Sequence, residues 1–211
     1  MNDKINFIIG SGGHTRVVVD AANLQNIKIY KIIDINKTAK KNEKILNVPV
    51  TNNFNEIKKF KKENVSLFIS IGDCKERKQY FDLYNNKKYS FFNVIHPLSK
   101  ISKTSIIGKS IFINSNAVLN SLVKIRDNSI INTSAIIEHE SIINKNCHVG
   151  PGSIICGRSK VKENVFVGAG CVILPNITIG KNSIIGAGSV VTKNASPNSI
   201  LIGSPAKKFK N

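Results

Sequence analysis

Ile101, Ile107, Ile113, Leu119, Ile125, Ile131, Ile137, Ile143, Val149, Ile155, Val161, Val167, Ile173, Ile179, Ile185 and Val191 stand six residues apart, and no step of the series breaks register. Only 31 of the 92 residues in 101–192 are Ile, Leu or Val, so composition does not supply sixteen consecutive hits. Two residues before a stop the side chain is usually small or β-branched, as at Ser105, Ala117, Val123, Ser129, Ser141, Cys147, Ser153 and Cys171. A helix repeats about every 3.6 residues and an ordinary strand every 2. A fixed period of six marks a parallel β-helix built from hexapeptide turns. Each hexapeptide forms one short flat side, with the aliphatic stop pointing inward. Three sides make a coil, so that Ile101, Leu119 and Ile137 return to the same side.

The bulk properties narrow the rest. At 211 residues the chain holds one or two domains with cores of their own. Cys74, Cys147, Cys156 and Cys171 form no CxxC pair, which argues against a zinc site or a disulfide framework. Three of them fall inside the repeat, where a small thiol fills space. The first residues lack the charged, apolar, small-residue order of a secretion signal, and no apolar run approaches the ~18 residues of a membrane span. The expectation is a cytoplasmic protein without an integral membrane segment. The formal net charge of +18 raises nucleic-acid binding as a candidate. Against it, Lys, Asn and Ile are abundant throughout, as AT-biased coding produces, and the lysines spread over both halves. The clusters Lys58, Lys59, Lys61, Lys62 and Lys207, Lys208, Lys210 lack the interleaved aromatics of a base-stacking surface. The charge fits phosphorylated small molecules or an anionic membrane face better than a nucleic acid.

Ahead of the repeat, Ile5–Ile9 reads as a buried strand running into Gly10-Ser11-Gly12-Gly13-His14. Val17, Val18, Ala21 and Leu24 then recur at helical spacing. Strand, glycine turn and helix open a dinucleotide-type α/β unit, in which the helix N-terminus offers free N–H groups to a phosphate. Thr15 stands where the third glycine of GxGxxG would be, which argues against a full NAD site; on spacing alone a phosphate site and a merely tight turn are both open. Lys28–Asp34 reads as a second strand, with Asp34 placed either to meet a sugar hydroxyl or to start a turn. Residues 36–50 read as loop and short edge strand, Asn53–Lys62 as a short helix with a solvated lysine face, and Val65–Ile71 as a buried strand. Asp73 is a good N-cap for a helix running through Tyr84, and Phe91–Ile95 closes the sheet. The division expected is 1–97 for a small Rossmann-like domain with a parallel sheet, 98–193 for the β-helix, rigidly joined to it, and 194–211 for a tail. That tail is expected to leave the coil as a loop and pack its basic end along it.

Two features of the coil carry chemistry. His139, in Glu138-His139-Glu140, occupies the third, outward-facing corner position of its hexapeptide. Acyl transfer needs a base near neutral pH, and a neighbouring carboxylate orients a histidine and raises its basicity. The plain alternative is a solvated surface histidine between two acids. His148 stands half a coil away. The second feature is the set Val149-Gly150-Pro151-Gly152, Val167-Gly168-Ala169-Gly170 and Ile185-Gly186-Ala187-Gly188, each copy one full coil after the last. Stacked glycine pairs would line a groove without side chains, suited to the long phosphopantetheine arm of coenzyme A, unless they simply fit the turns of the coil.

At these residues the sequence resembles the trimeric left-handed β-helix acetyltransferases of the sugar-nucleotide type. Members act on UDP-4-amino-4,6-dideoxy sugars in bacillosamine synthesis and on GDP-perosamine; sialic acid O-acetyltransferases are related. The resemblance spans nearly the whole chain. It is carried by Gly10-Ser11-Gly12-Gly13-His14, Ile69-Ser70-Ile71-Gly72 with Arg77, Asn93-Val94-Ile95-His96, Ile131-Asn132-Thr133-Ser134 through Glu138-His139-Glu140, His148, and Gly203-Ser204-Pro205-Ala206-Lys207. It implies the left hand of the coil, a homotrimer, acetyl-CoA as co-substrate without a metal, and a nucleotide-sugar substrate. It implies His139 as general base and Glu140 as its carboxylate. His148 and the backbone near Gly157, Ala169 and Ala187 would hold acetyl-CoA. Gly12, Gly13, His14, Asp34 and Gly72 would hold the nucleotide-sugar. The acid often found after the position of Asp34 is here Ile35, which leaves UDP and GDP both open. No Cys or Ser beside His139 forms a nucleophile arrangement, so direct attack of the amine on the thioester is expected. The rivals are a sialic-acid-type O-acetyltransferase and, more remotely, a zinc enzyme of the γ-carbonic anhydrase kind, for which His139 and His148 are one ligand short. A nucleotide-sugar sensor would leave the stacked glycines unexplained.

Overall fold

The computed structural model describes residues 4–209, so Lys210 of the basic tail lies outside the described residues. Contacts divide the chain into two compact units, one ending at Ile95 and the other starting at His96.

In the first unit, β1 (Ile5–Ile9), α1 (Gly13–Leu24), β2 (Ile29–Ile33), β3 (Lys44–Ile45), β4 (Val48–Thr51), β5 (Val65–Ile69), α2 (Cys74–Asn86) and β6 (Ser90–Phe91) follow one another. The sheet order is β3-β4-β2-β1-β5-β6. Its pairs are parallel except for the β3–β4 hairpin. Crossovers of this kind bring the loops after β1, β2 and β5 to one end of the sheet, where α/β folds bind ligands. Every residue of β5 is buried, as a run without polar alternation requires. One face packs Phe7, Ile9, Ile33, Leu67 and Ile69 against Phe81 and Tyr84 of α2. Asp73 caps α2, its Oδ1 accepting from the Glu76 amide at 2.8 Å. The helix expected over Asn53–Lys62 is two pieces of 3-10 helix, Phe54–Lys59 and Lys62–Asn64. There Glu56 is buried between Lys31 and Lys59 at 2.7 and 2.6 Å, so one lysine of the expected solvated face is a partner for a buried acid.

The second unit is a left-handed parallel β-helix. Its first face stacks Phe112–Ile113, Ile130–Ile131, His148–Val149, Phe166–Val167 and Ile184–Ile185. The second stacks Lys100–Ile101, Val118–Leu119, Ile136–Ile137, Ile154–Ile155, Val172–Ile173 and Val190–Val191. The third stacks Ile106–Ile107, Lys124–Ile125, Ile142–Ile143, Lys160–Val161 and Thr178–Ile179. All stops from Ile113 to Val191 are at most 1% exposed. Beyond them the tail is not a loop: Ile200–Ile202 adds a further rung to the first face, and Lys207–Lys208 folds back on it antiparallel. This last coil is two residues short of the others, since Ile184 pairs with Ile200 rather than with a residue a full coil on. A scan at period six therefore loses it.

The corners explain much of the asparagine content. At the fourth position of each hexapeptide, from Ser110 to Gly188, φ lies between +55° and +68°. Asparagine and glycine tolerate this left-handed region best. Asn116, Asn128, Asn146, Asn164, Asn176 and Asn182 all occupy it, so a physical demand adds to any coding bias.

Candidate functional site

In the first unit a pocket opens at the ends of β1, β2 and β5. It is lined by Ser11, Gly12, Gly13, His14, Ile35, Asn36, Ser70, Ile71, Gly72, Asp73 and Glu76. Thr15 ties its floor together, donating its hydroxyl to the carbonyls of Gly10 and Ser70 at 2.9 and 3.2 Å. No side chain caps α1 at Gly12, and no acid lies in its first turn. The positive end of that helix thus faces the pocket unneutralised. A Cβ at Gly12, Gly13 or Gly72 would meet nothing within 4 Å, so packing does not demand these glycines. Buried Arg77 holds the turn carrying Gly72, donating from Nη1 to the carbonyls of Ile71 and Gly72 at 3.0 and 2.9 Å.

Asp34 has a different place from the other expected substrate residues. It is 1% exposed. Its oxygens accept from Ser11 Oγ (2.6 Å), from the amides of Asn36, Thr38 and Ala39, and from Thr38 Oγ1. Burial pushes its carboxyl up, but the bonds from Ser11, Asn36, Thr38 and Ala39 outweigh that and hold it below its ordinary value. The turn-forming alternative describes it best: Asp34 is saturated by the 36–39 loop and reaches the pocket only through Ser11.

On the coil, His139 sits at the corner between the second and third faces. Its Nδ1 lies 3.1 Å from Glu140 Oε2, and Arg158 Nε donates to the same oxygen at 2.9 Å. Arg158 first, then His139, holds the Glu140 carboxyl below its ordinary value. Gly157 lies directly over the imidazole, where a Cβ would come within 2.5 Å of His139 Nε2. The partner acid Glu138 is held by Asn120 Nδ2 at 2.8 Å. Cys156, the nearest thiol in the next coil, is pushed up by burial and then by Glu138, which keeps it protonated and a poor nucleophile. Sequence reasoning named His139, Glu140 and Gly157, which the fold brings to one corner. It missed Arg158, which stands one full coil after Glu140 and therefore directly above it. The repeat length is the signal that finds it.

The residues expected to hold the co-substrate divide between corners. His148 is half-buried on the first face, with its ring edge-on to Phe166 at 5.1 Å and Nε2 3.3 Å from Asn132 Nδ2. Ala169 and Ala187 are exposed at the next corner, between the first and second faces. Gly157 instead lies with His139 across the second face. The glycine pairs beside Ala169 and Ala187 have local reasons of their own. Gly152 and Gly170 both have φ +65°, and a Cβ on Gly150 would lie 2.7 Å from the Val167 carbonyl of the next coil. The turns of the coil thus account for the pattern without a ligand, although the corner they leave is smooth and open.

Among the described residues no helix is long and apolar enough to cross a membrane. Residues 6–84 match the family described as the PglD N-terminal domain, and residues 158–193 match bacterial transferase hexapeptide (six repeats). No curated protein matches the chain. Among solved structures, PerB from Caulobacter crescentus in complex with CoA and GDP-perosamine is 30% identical. The match covers 98% of this chain and 97% of that one, with a TM-score of 0.90. A histidine-to-asparagine variant of perosamine N-acetyltransferase from the same organism, with the same ligands, shares the identity and coverage with a TM-score of 0.91. The acetyltransferase domain of PglB from Neisseria gonorrhoeae, in complex with acetyl coenzyme A, shares the fold at 23% identity, covering 98% and 100% with a TM-score of 0.89.

Proposed function

We propose, for a chain that belongs to the family of hexapeptide-repeat nucleotide-sugar N-acetyltransferases, a direct transfer of acetyl from acetyl-CoA to the amine of a UDP- or GDP-linked 4-amino-4,6-dideoxy hexose. The observation that carries the chemistry is the His139–Glu140 pair, with the imidazole on an open corner and one nitrogen already committed to the carboxylate. Glu140 favours the tautomer with the proton on Nδ1, which leaves the Nε2 lone pair to accept a proton. As the sugar nitrogen attacks the thioester carbon, Nε2 takes the ammonium proton released by that attack. The C–S bond then breaks, and coenzyme A leaves as thiolate and is protonated from the imidazolium or solvent. The product is the acetamide. Cys156 stays out of the reaction as a neutral thiol.

Residues 1–97 hold the nucleotide-sugar in this reading. The backbone at Gly12, Gly13, His14 and Gly72 and the end of α1 face its phosphates, and Asp34 acts behind them by fixing Ser11 and the 36–39 loop. Residues 98–193 perform the transfer, with His148 and the backbone near Gly157, Ala169 and Ala187 against acetyl-CoA. Residues 194–211 close the coil. The working unit is a homotrimer. Its support is the outward-facing column Val118, Ile136, Ile154, Val172 and Val190 on the second face, apolar from Val118 on, whereas the third face mixes Ile106 and Ile142 with Lys124, Lys160 and Thr178. An apolar column of this kind is what a neighbouring subunit covers. This reading places the reaction in the cytoplasm.

A thiol-release assay with acetyl-CoA against a panel of UDP-, GDP- and dTDP-linked amino sugars and their hydroxyl counterparts tests the function. Release is expected with an amine acceptor only; acylation of the hydroxyl sugar instead defeats the N-transfer reading. His139→Ala should lose on the order of 10²–10⁴-fold in turnover while still binding acetyl-CoA, and near-normal turnover would remove His139 as the base. Light scattering should give about three times the 23.2 kDa chain mass.

A further inference from the structure

The left-handed corner positions run from Ser110 to Gly188 at a spacing of six. At almost all of them the residue is Asn, Gly or Ser, side chains that accept this conformation or bond locally within it. The exceptions are Leu122, Glu140 and Arg158. Each of these three stands one full coil after the last, so they form one column, and it is the column beside His139. Side chains that fit the backbone poorly thus cluster at one corner, and two of them are bonded to each other. Folding does not need Glu or Arg at these positions: the same corner type carries Asn176 one coil further on, and Asn, Gly or Ser around the other two edges. Backbone strain of this sort persists where a side chain has a task.

We propose that Arg158 is a positioning residue for the transfer: it fixes the Glu140 carboxylate against the Nδ1 side of His139, so that the ring keeps one orientation and one tautomer. The inference rests on His139 being the base. Three observations converge on it. Arg158 Nε and His139 Nδ1 address one oxygen, Glu140 Oε2, at 2.9 and 3.1 Å. Arg158 is carried by the rung directly above, its amide donating to the His139 carbonyl at 2.9 Å, so the two residues are tied by backbone as well as through Glu140. The residue between Cys156 and Arg158 is Gly157, whose missing Cβ makes room for the ring. The other groups facing His139 are Glu138, bonded to Asn120, the neutral thiol of Cys156, and Ser121 on the rung below, whose carbonyl accepts from the Glu140 amide; Lys103 lies two coils down the same column. Arg158 is the cation in contact with the pair.

The charges are half-exposed, so the effect is modest and sensitive to salt. The test is acetyl-transfer kinetics of the full chain beside ¹⁵N-histidine NMR of the His139 ring, its signals assigned by their loss in His139→Asn. In Arg158→Gln, kcat should fall on the order of 10-fold while KM for acetyl-CoA holds, and the ring should show both tautomers where the parent chain shows the Nδ1-protonated one. Arg158→Lys should not restore turnover, because the ammonium lacks the planar Nε–H that fixes the carboxylate. Parent-like kcat and tautomer in Arg158→Gln overturn the proposal, as does a variant whose sole defect is a higher KM for acetyl-CoA, which would make Arg158 a co-substrate contact. Either result leaves the base assignment standing if His139→Ala is inactive; an active His139→Ala strikes the base itself.

Discussion

Two corners of the coil share backbone conformation, spacing and stacking, and differ in what their side chains do. Between the third and first faces, Asn128, Asn146, Asn164, Asn182 and Asn198 form a ladder, each Nδ2 donating to the Oδ1 above at 2.7–3.0 Å. Its members use their amides on one another. Between the second and third faces the same positions hold Leu122, Glu140, Arg158 and Asn176, and beside them half-exposed His139 bonds Glu140 through Nδ1 and sets Nε2 beneath Gly157. A structural corner closes its polar groups within itself; the candidate catalytic corner keeps one atom in reserve. Regular backbone is therefore no guide to where function lies. The departures from the residue that the backbone prefers are.

The comparison can be broken by substitution. Gly157→Ala should have the largest effect at the catalytic corner. The new Cβ meets the tip of a flexible ring rather than backbone, so the imidazole moves while the fold stays. A displacement of about 1 Å can cost about 10²-fold in turnover, and thermal melting should be unchanged. At the ladder corner the pattern inverts. Asn146→Ala, buried between Asn128 and Asn164, should cost about 2 kcal/mol, because both neighbours lose a partner and alanine occupies a left-handed site. Activity per folded molecule should hold, measured by denaturant unfolding at matched protein concentration. Asn198→Ala, exposed at the ladder's end, should lose under about 1 kcal/mol by the same measurement.

A smaller effect belongs to the first unit. The Asp34 carboxyl is depressed in the folded chain, so its contribution is complete above the unfolded pKa and disappears as pH falls through the folded one. Asp34→Asn should therefore melt below the parent chain at pH 7, and the gap should close below about pH 4. A gap independent of pH would mean that the 36–39 loop does not depend on the ionised carboxylate.

Much of this molecule is legible in one dimension. The run of aliphatic stops from Ile101 to Val191 needs no partner to be recognised, because every rung repeats the same burial. Strand, turn and helix at the start of the chain follow from Ile5–Ile9, the glycines and the helical spacing after them. The glycine pairs at Gly150-Pro151-Gly152 and its two copies read two ways. Positive φ at Gly152, Gly170 and Gly188 and the close approach of the next coil at Gly150 and Gly168 favour glycine there, so their regularity does not by itself point to a ligand. Asp34 is ambiguous in the same way, since an acid at a strand end reads alike whether it waits for a sugar or ties down the loop that follows. The final strand, Ile200–Ile202, escaped because its coil is shorter than the rest.

By itself the sequence determined the β-helix, its period and its inward-facing residues, since each depends on local spacing and residue identity. Tertiary structure alone decided that Arg158 and His139 bond one oxygen of Glu140, that Gly157 leaves room for the His139 ring, and that Asp34 is spent on its own loop. Those facts depend on which side chains, a short loop or a whole coil apart along the chain, come within hydrogen-bonding distance and which of their atoms remain free. That is a property of the folded surface rather than of the order of residues.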